Sequence, residues 1–190
     1  DIEGHRRCEF ARLSTALSLI HGAPLESEAR QGAQSIPAYL DEVTAKFGAA
    51  DAVIMHSPRG RTIWSYDELQ GQASDVAKAL IAGGHGKGAR VGVLMANRPE
   101  YLAALFGISM AGGVAVALST FSTRDELTHL LNVSAVELLL FDSRVLKQDF
   151  AAMLRDSVTK ARAVQLGSVT DNDPPAPGFE SWTDFLASGK

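Results

Sequence analysis

The chain is predicted to be an α/β protein, a layered and mostly parallel doubly wound sheet flanked by helices, and three observations carry that expectation. Four apolar runs recur along residues 90–166, "RVGVLM" (90–95), "VAVAL" (114–118), "VELLLF" (136–141) and "AVQL" (163–166), with starts about 22 to 27 residues apart. Each interval holds a helical pattern: from Asn97 or Arg98 to Met110 with Pro99 in the first turn, from Thr123 to Leu131 opened by Ser122 or Thr123, and from Arg144 to about Thr159. The run 90–95 is nearly all apolar instead of alternating, as a strand covered on both faces requires. Strand and helix alternating at this period build right-handed βαβ units.

The earlier elements follow in order. Residues 1–34 read as an N-terminal surface helix, "FARLSTALSLI", and a polar connector. Arg6 and Arg7 ahead of that helix hint at a targeting segment, but the apolar stretch is short, diluted by Ser14, Thr15 and Ser18, and has no small-residue cleavage pattern after it. Folding restarts at Ser35, where Ile36, Tyr39, Leu40, Val43 and Phe47 recur at helical spacing and Gly48 stands at a C-cap position. "AVIM" (52–55) and "TIW" (62–64) flank "HSPRGR", whose Pro58 and Gly60 suit a turn, so a short β-hairpin is expected over 52–64. Ser65 and Glu68 form a capping box, with Trp64 and Leu69 as its hydrophobic staple. Leu69, Ala73, Val76, Ala77, Leu80 and Ile81 then make one apolar stripe ending at Gly83.

The glycine-rich stretch "IAGGHGKGARVGVLM" (81–95) has the composition of a phosphate loop but the wrong chain order. Phosphates are held where a strand and glycine loop lead into a helix N-terminus. Here a helix leads into the glycines, which face carbonyls and the negative end of the dipole. Gly83 or Gly84 as a left-handed C-cap, with Lys87 near that negative end, explains the stretch without a ligand. Past the last strand, "GSVTDNDPPAPGFE" (167–180) reads as a linker and "SWTDFLASGK" as the start of a short helix capped by Ser181.

Composition excludes several functions. The 190 residues are 46% hydrophobic with a net charge of −4, enough for a real core and too acidic, with scattered Lys and Arg, for a nucleic-acid footprint. No run approaches the roughly 20 apolar residues of a membrane span. The lone Cys8 forms no internal disulfide and fits a reducing, cytoplasmic home. The five histidines lack metal-ligand spacing, and no metal site is expected.

Ligands of doubly wound sheets bind beyond the carboxyl ends of the strands. Those ends supply Ala96 and Asn97, the run Ser119, Thr120, Phe121 and Ser122, then Asp142 and Ser143, then Gly167 and Ser168. Small polar residues there suit binding, yet Asn97, Ser122 and Asp142 equally sit at helix N-cap positions. No nucleophile with a nearby base and no carboxylate pair stands out, so no catalytic residue is assigned.

Several stretches together resemble the adenylate-forming enzymes: AMP-forming acyl-CoA synthetases, nonribosomal-peptide adenylation domains and luciferases. "WSYDEL" (64–69) is similar to their first core motif and "MAGGVAVALS" (110–119) to their second. "GKGARV", "NRPEYLAAL" and "STFSTRDELTHLLNVSAVELLL" resemble the segments between and after them, in the same order and spacing. Ala89, Met110 and Ala117 depart from the family's usual Asp, Lys and Pro. Its Ser/Thr/Gly-rich phosphate loop ending in Pro-Lys-Gly does not occur in the chain.

The resemblance implies the N-terminal part of an AMP-forming acyl-CoA synthetase. Its parent activates a carboxylic acid, fatty or aryl, with ATP and Mg and passes the acyl group to coenzyme A. On this reading residues 35–166 are an α/β subdomain and 167–190 a linker and short helix leading to the phosphate loop. The chain alone is inactive and binds no cofactor, its partners being the carboxylate substrate and the remainder of the same polypeptide. Asn97, Ser119, Thr120 and Phe121 are then candidates for a substrate-pocket wall. The alternative is a non-catalytic α/β domain that binds a small molecule or nucleotide.

Overall fold

The computed structural model describes residues 35–190 except 59, 158 and 168–174. The helix and connector expected over 1–34, and the middle of the 167–180 linker, lie outside the described residues. The first element is α1 (Ile36–Phe47), opened by Ser35, whose Oγ accepts the Ala38 N–H at 3.3 Å. Gly48 closes it in right-handed rather than left-handed backbone. A Cβ there would lie 2.6 Å from the exposed Asp67 carboxylate, which would have to turn aside.

Strands β1 (Asp51–Ser57) and β2 (Gly60–Ser65) pair antiparallel as the expected hairpin, with an irregularity between Asp51 and Val53. Helix α2 (Tyr66–Ala82) starts on the Ser65 and Glu68 capping box: Ser65 N–H donates to the glutamate at 2.7 Å and Glu68 N–H to the serine at 3.2 Å. Trp64 and Leu69 meet as the staple requires, in a cluster with Leu40 and Ala73 that fastens hairpin and α1 to α2. Ile81, placed in the apolar stripe by its spacing, instead faces solvent.

The central sheet comprises β3 (Arg90–Leu94), β4 (Val114–Ala117), β5 (Leu138–Asp142), β8 (Arg162–Leu166) and β9 (Glu180–Ser181), in the order β4-β3-β5-β8-β9 and parallel throughout. The chain winds first to β4 on one side of β3, then back across it to β5, so the order reverses between β3 and β5. Crossovers are α3 (Pro99–Met110) and α4 (Arg124–Val133). Residues expected to form one helix from 144 to 159 make a two-residue-strand hairpin, β6 (Arg144–Val145) and β7 (Gln148–Asp149), and only then α5 (Phe150–Arg155). Leu146, at φ +53°, turns that hairpin, and Asp149 re-caps the chain by accepting the Ala152 N–H at 2.9 Å. The end of the expected linker contributes β9, after which α6 (Trp182–Ala187) starts at Ser181 as anticipated.

Alternation along the strands splits the core into two layers. Val91, Val93, Leu138, Leu140, Val164 and Leu166 pack with α2, α3 and Phe185 of α6. On the opposite face Leu94, Leu139 and Phe141 pack with Leu127 and Leu131 of α4 and with Phe150 and Leu154 of α5. Each fully buried Leu or Phe contributes roughly 1.5–3 kcal/mol. The edge strand β4 is different: Val114, Ala115 and Ala117 are exposed, and its register with β3 is regular to Ala117, where the resembled family usually has proline.

Three helices end in the same two-bond turn before feeding the sheet. After α2, Gly84 N–H donates to Ile81 O and His85 N–H to Leu80 O; Gly83 is the C-cap, and the left-handed residue is Gly84, one position beyond it, at φ +81°. After α3, Gly112 and Gly113 donate to Ser109 O and Ile108 O. After α4, Ala135 and Val136 donate to Asn132 O and Leu131 O, with Ala135 left-handed at φ +51°. Among the described residues no helix is long and apolar enough to cross a membrane.

Helices α2 and α3 approach closely at Gly107, where a Cβ would lie 2.6 Å from Val76 Cβ and 2.7 Å from Ala73 O. Alanine is the better helix former, but overpacking of this kind costs about 1–3 kcal/mol. Gly107→Ala is therefore expected to lower the urea unfolding midpoint, and an unchanged midpoint would show that the two helices have room to separate.

Candidate functional site

The carboxyl ends of β3, β5 and β8 are tied together by one buried ion pair. Asp142, the last residue of β5, is fully buried, and its carboxylate accepts the Ala96 N–H beyond β3 at 2.7 Å. Arg98 Nη1 donates to the same carboxylate and, at 2.7 Å, to Gly167 O beyond β8. Its Nε donates to Glu100 at 2.8 Å. Burial is the largest influence on the Asp142 carboxyl and pushes its pKa above the usual range, against the pull of Arg98 and the Ala96 N–H. The reversal point between β3 and β5, where a doubly wound sheet ordinarily opens a ligand crevice, is thus filled by the protein's own side chains.

This arrangement replaces the N-cap roles proposed for Asn97, Ser122 and Asp142. The caps are Arg98, Thr123 and Asp149 instead, and Arg98 makes no side-chain bond to its own helix end because its guanidinium is committed to Asp142, Glu100 and Gly167. Thr123 forms a full capping box with Glu126, whose carboxyl is held below its ordinary pKa by the Thr123 N–H and hydroxyl. Sequence reasoning missed Arg98. Its signal was a cation directly before Pro99, a position that needs no positive charge at the positive end of a helix.

The four candidate wall residues fall into two places. Asn97 is exposed and lines a groove of about 480 Å³ between β1 and the start of α3, with Ile54, His56, Tyr101 and Leu102. Ser119, Thr120 and Phe121 share one loop after β4, where Ser119 Oγ accepts the Phe121 N–H and Ser119 O the Ser122 N–H, both at 3.2 Å. Ser119 and Phe121 line a shallower depression of about 450 Å³ with Ser122, Glu126, His129 and Leu130. Phe121 is 80% exposed, an apolar ring held out from the sheet end by its turn. A third cavity, of about 480 Å³, lies beside the starts of β5 and β8, at the opposite end from these loops. Among the described residues no three His, Cys, Asp or Glu side chains converge as a metal-binding group.

Removing Asp142 leaves the Arg98 charge short of its main partner and the Ala96 N–H without an acceptor. Breaking such a pair from one side costs about 3–5 kcal/mol. Asp142→Ala is expected to fall at the low end, since Glu100 remains, and the double variant Arg98→Met, Asp142→Leu to recover most of the loss in urea unfolding. Equal loss in both would show that the charges are not the source.

Comparison with known proteins places this geometry. Residues 40–187 match the family described as AMP-binding enzyme. The chain is 31% identical over 93 residues to the acyl-CoA ligase SID4 of Ajellomyces capsulatus, covering 49% of this chain and 16% of that protein. It is 32% identical over 122 residues to the 3-hydroxybenzoate–CoA/4-hydroxybenzoate–CoA ligase of Thauera aromatica, 64% of this chain and 22% of that one. The crystal structure of the anthranilate CoA ligase AuaEII with anthranoyl-AMP superposes with a TM-score of 0.67 at 20% identity, over 80% of this chain and 28% of that chain. The chain thus spans a quarter or so of proteins that share its sheet and its motifs. A match running from α1 to the end of α6 means that the chain belongs to the AMP-binding enzyme family.

Proposed function

We propose that the chain is the amino-terminal α/β portion of an ATP-dependent acid–thiol ligase that activates a fatty or aryl carboxylic acid and passes it to coenzyme A. The family match over residues 40–187 carries this reading, supported by the acyl- and hydroxybenzoate–CoA ligases among its relatives. A carboxylate oxygen is a poor leaving group and AMP a good one, so forming an acyl-adenylate with release of pyrophosphate opens the carbonyl to a thiol.

We assign none of the described residues to the triphosphate and Mg site of such a reaction. Gly83, Gly84 and His85 donate their N–H groups to carbonyls of α2, and Gly88 donates to Gly112 O, so this stretch closes a helix C-terminus and does not open a helix. No catalytic step is therefore assigned to these residues. Their proposed part is to shape a substrate wall with Asn97, Ser119, Thr120 and Phe121, to rest against the remainder of the polypeptide, and to work in the cytoplasm. The exposure of Phe121 supports that part, because a ring so placed gains most by burying its face on a ligand or neighbouring segment. A self-contained nucleotide-binding domain draws no support from the reversal point, which Arg98 and Asp142 fill.

The chain by itself is expected to release no pyrophosphate or AMP from ATP when given coenzyme A and a panel of fatty and aryl acids; turnover by it would refute the assignment. In the protein extended through a phosphate loop, Phe121→Ala is expected to raise the KM for the acid or for coenzyme A about tenfold, equivalent to about 1.4 kcal/mol. Its thermal stability should be unchanged, because the ring is exposed. Unaltered KM values for both would remove Phe121 from the wall.

A further inference from the structure

Ser143, directly after Asp142, has every backbone group engaged and its hydroxyl idle. Its N–H donates to Leu166 O at 3.0 Å, and its carbonyl accepts from Phe150 N–H at 3.0 Å and Ala151 N–H at 3.3 Å. Ser143 is only 5% exposed, and its Oγ has no hydrogen-bond partner among the described residues. Leaving a buried hydroxyl unpaired is unfavourable, so the site calls for an acceptor or donor that the described residues do not supply.

Ser143 is one of the residues around a cavity of about 180 Å³ at the carboxyl ends of β5 and β8, with Gln165, Arg144, Arg155 and Asp149, and its Oγ lies just beneath that surface. Gln165 is buried, and its Oε1 is taken by the Ala176 N–H at 2.9 Å, which leaves its NH2 group as the available donor. Among the described lining residues Asp149 is the one carboxylate. It is already occupied by the Ala152 N–H at 2.9 Å and by Arg144 at 3.3 Å, contacts that hold its pKa below the ordinary value. The Arg155 side chain makes no hydrogen bond or ion pair among the described residues, though its charge acts on Asp149 through space, and it is part of the cavity lining. Two arginines, Gln165 and Ser143 therefore line a space in which the one carboxylate among the described residues is already engaged.

We propose that this cavity is a binding site for a tetrahedral phosphoryl oxyanion, held by Ser143 Oγ, the Gln165 NH2 group, Arg155 and Arg144. A donor-rich lining with an excess positive charge selects an anion, and the guanidinium forks match phosphate oxygens two at a time. Ordinary small-molecule pockets measure about 300–1,000 Å³, so this one takes a phosphoryl group rather than a whole nucleotide. The site is separate from the Phe121 loop and stands whether or not the proposed ligase function does.

The test is the unfolding temperature of the chain as inorganic phosphate is titrated against chloride at constant ionic strength, with Ser143→Ala and Arg155→Gln alongside. Phosphate also stabilises proteins nonspecifically by exclusion from their surface, and that component is common to all three chains. The wild type is expected to show an additional saturable rise with a millimolar dissociation constant. Each variant should weaken that binding about tenfold or more, as loss of a charge-assisted hydrogen bond does. In phosphate-free buffer Ser143→Ala should unfold at the same or a higher temperature, because no bond is lost. Identical phosphate responses in all three chains would overturn the proposal. So would a Ser143→Ala variant destabilised without phosphate, which would assign the hydroxyl to a resident water. Repeating the titration with methyl phosphate separates the sources: tighter binding than inorganic phosphate indicates a phosphoester, weaker binding a free ion.

Discussion

The buried carboxylate of Asp142 is the constraint on which the sheet end depends. A parallel sheet is held along its length by backbone hydrogen bonds, but at its carboxyl end the strands diverge into loops and leave polar groups to be satisfied. Asp142 takes the Ala96 N–H, two residues beyond β3, and Arg98, docked on it, takes the first carbonyl beyond β8. One side-chain pair thereby sets where three strands stop and from where α3 departs. The cost of burying two charges is offset by the hydrogen bonds each makes to the other and to its neighbours. The pair occupies the reversal point, and open depressions lie instead at the loop after β4 and at the rim beside β8.

At the amino-terminal end of the sheet the organising device is repetition. Helices α2, α3 and α4 each close on the same pair of turn bonds, and β3, β4 and β5 each begin a few residues later. The turn satisfies helical carbonyls while reversing the chain, so these three entries into the sheet share one local solution. Only Ala135 adopts the left-handed geometry there without being glycine. The two ends of the sheet are therefore built on opposite logic, local backbone turns on one side and a long-range charge pair on the other.

That contrast explains what was legible. Caps, boxes and strands are written in short windows, so Ser65 with Glu68, Ser181 and the four apolar runs pointed directly to their elements. The hairpin over Arg144 to Asp149 was not legible, because Leu146 and Lys147 make its turn without glycine, asparagine or proline, and the apolar spacing continued as though helical. Arg98 and Asp142 are 44 positions apart, and nothing local in either marks the other. Of the candidate wall residues, Ser119, Thr120 and Phe121 share one loop because they are consecutive, whereas Asn97 shares only a position at a strand end and opens on a different groove. Ser143 was noted merely as small and polar; its idle hydroxyl is visible only once β6, β7 and α5 are folded over it.

The edge strand β4 has a consequence of its own. Proteins commonly guard such borders with lysine, proline or a bulge, and "VAVA" carries none of these while exposing methyl groups on a regular ladder. The sheet behaves as a zipper with one open row of teeth. A polypeptide laid alongside β4 would cover that row and guard against self-association as much as serve as a structural neighbour. For the chain in isolation, association through this border is expected to rise with concentration.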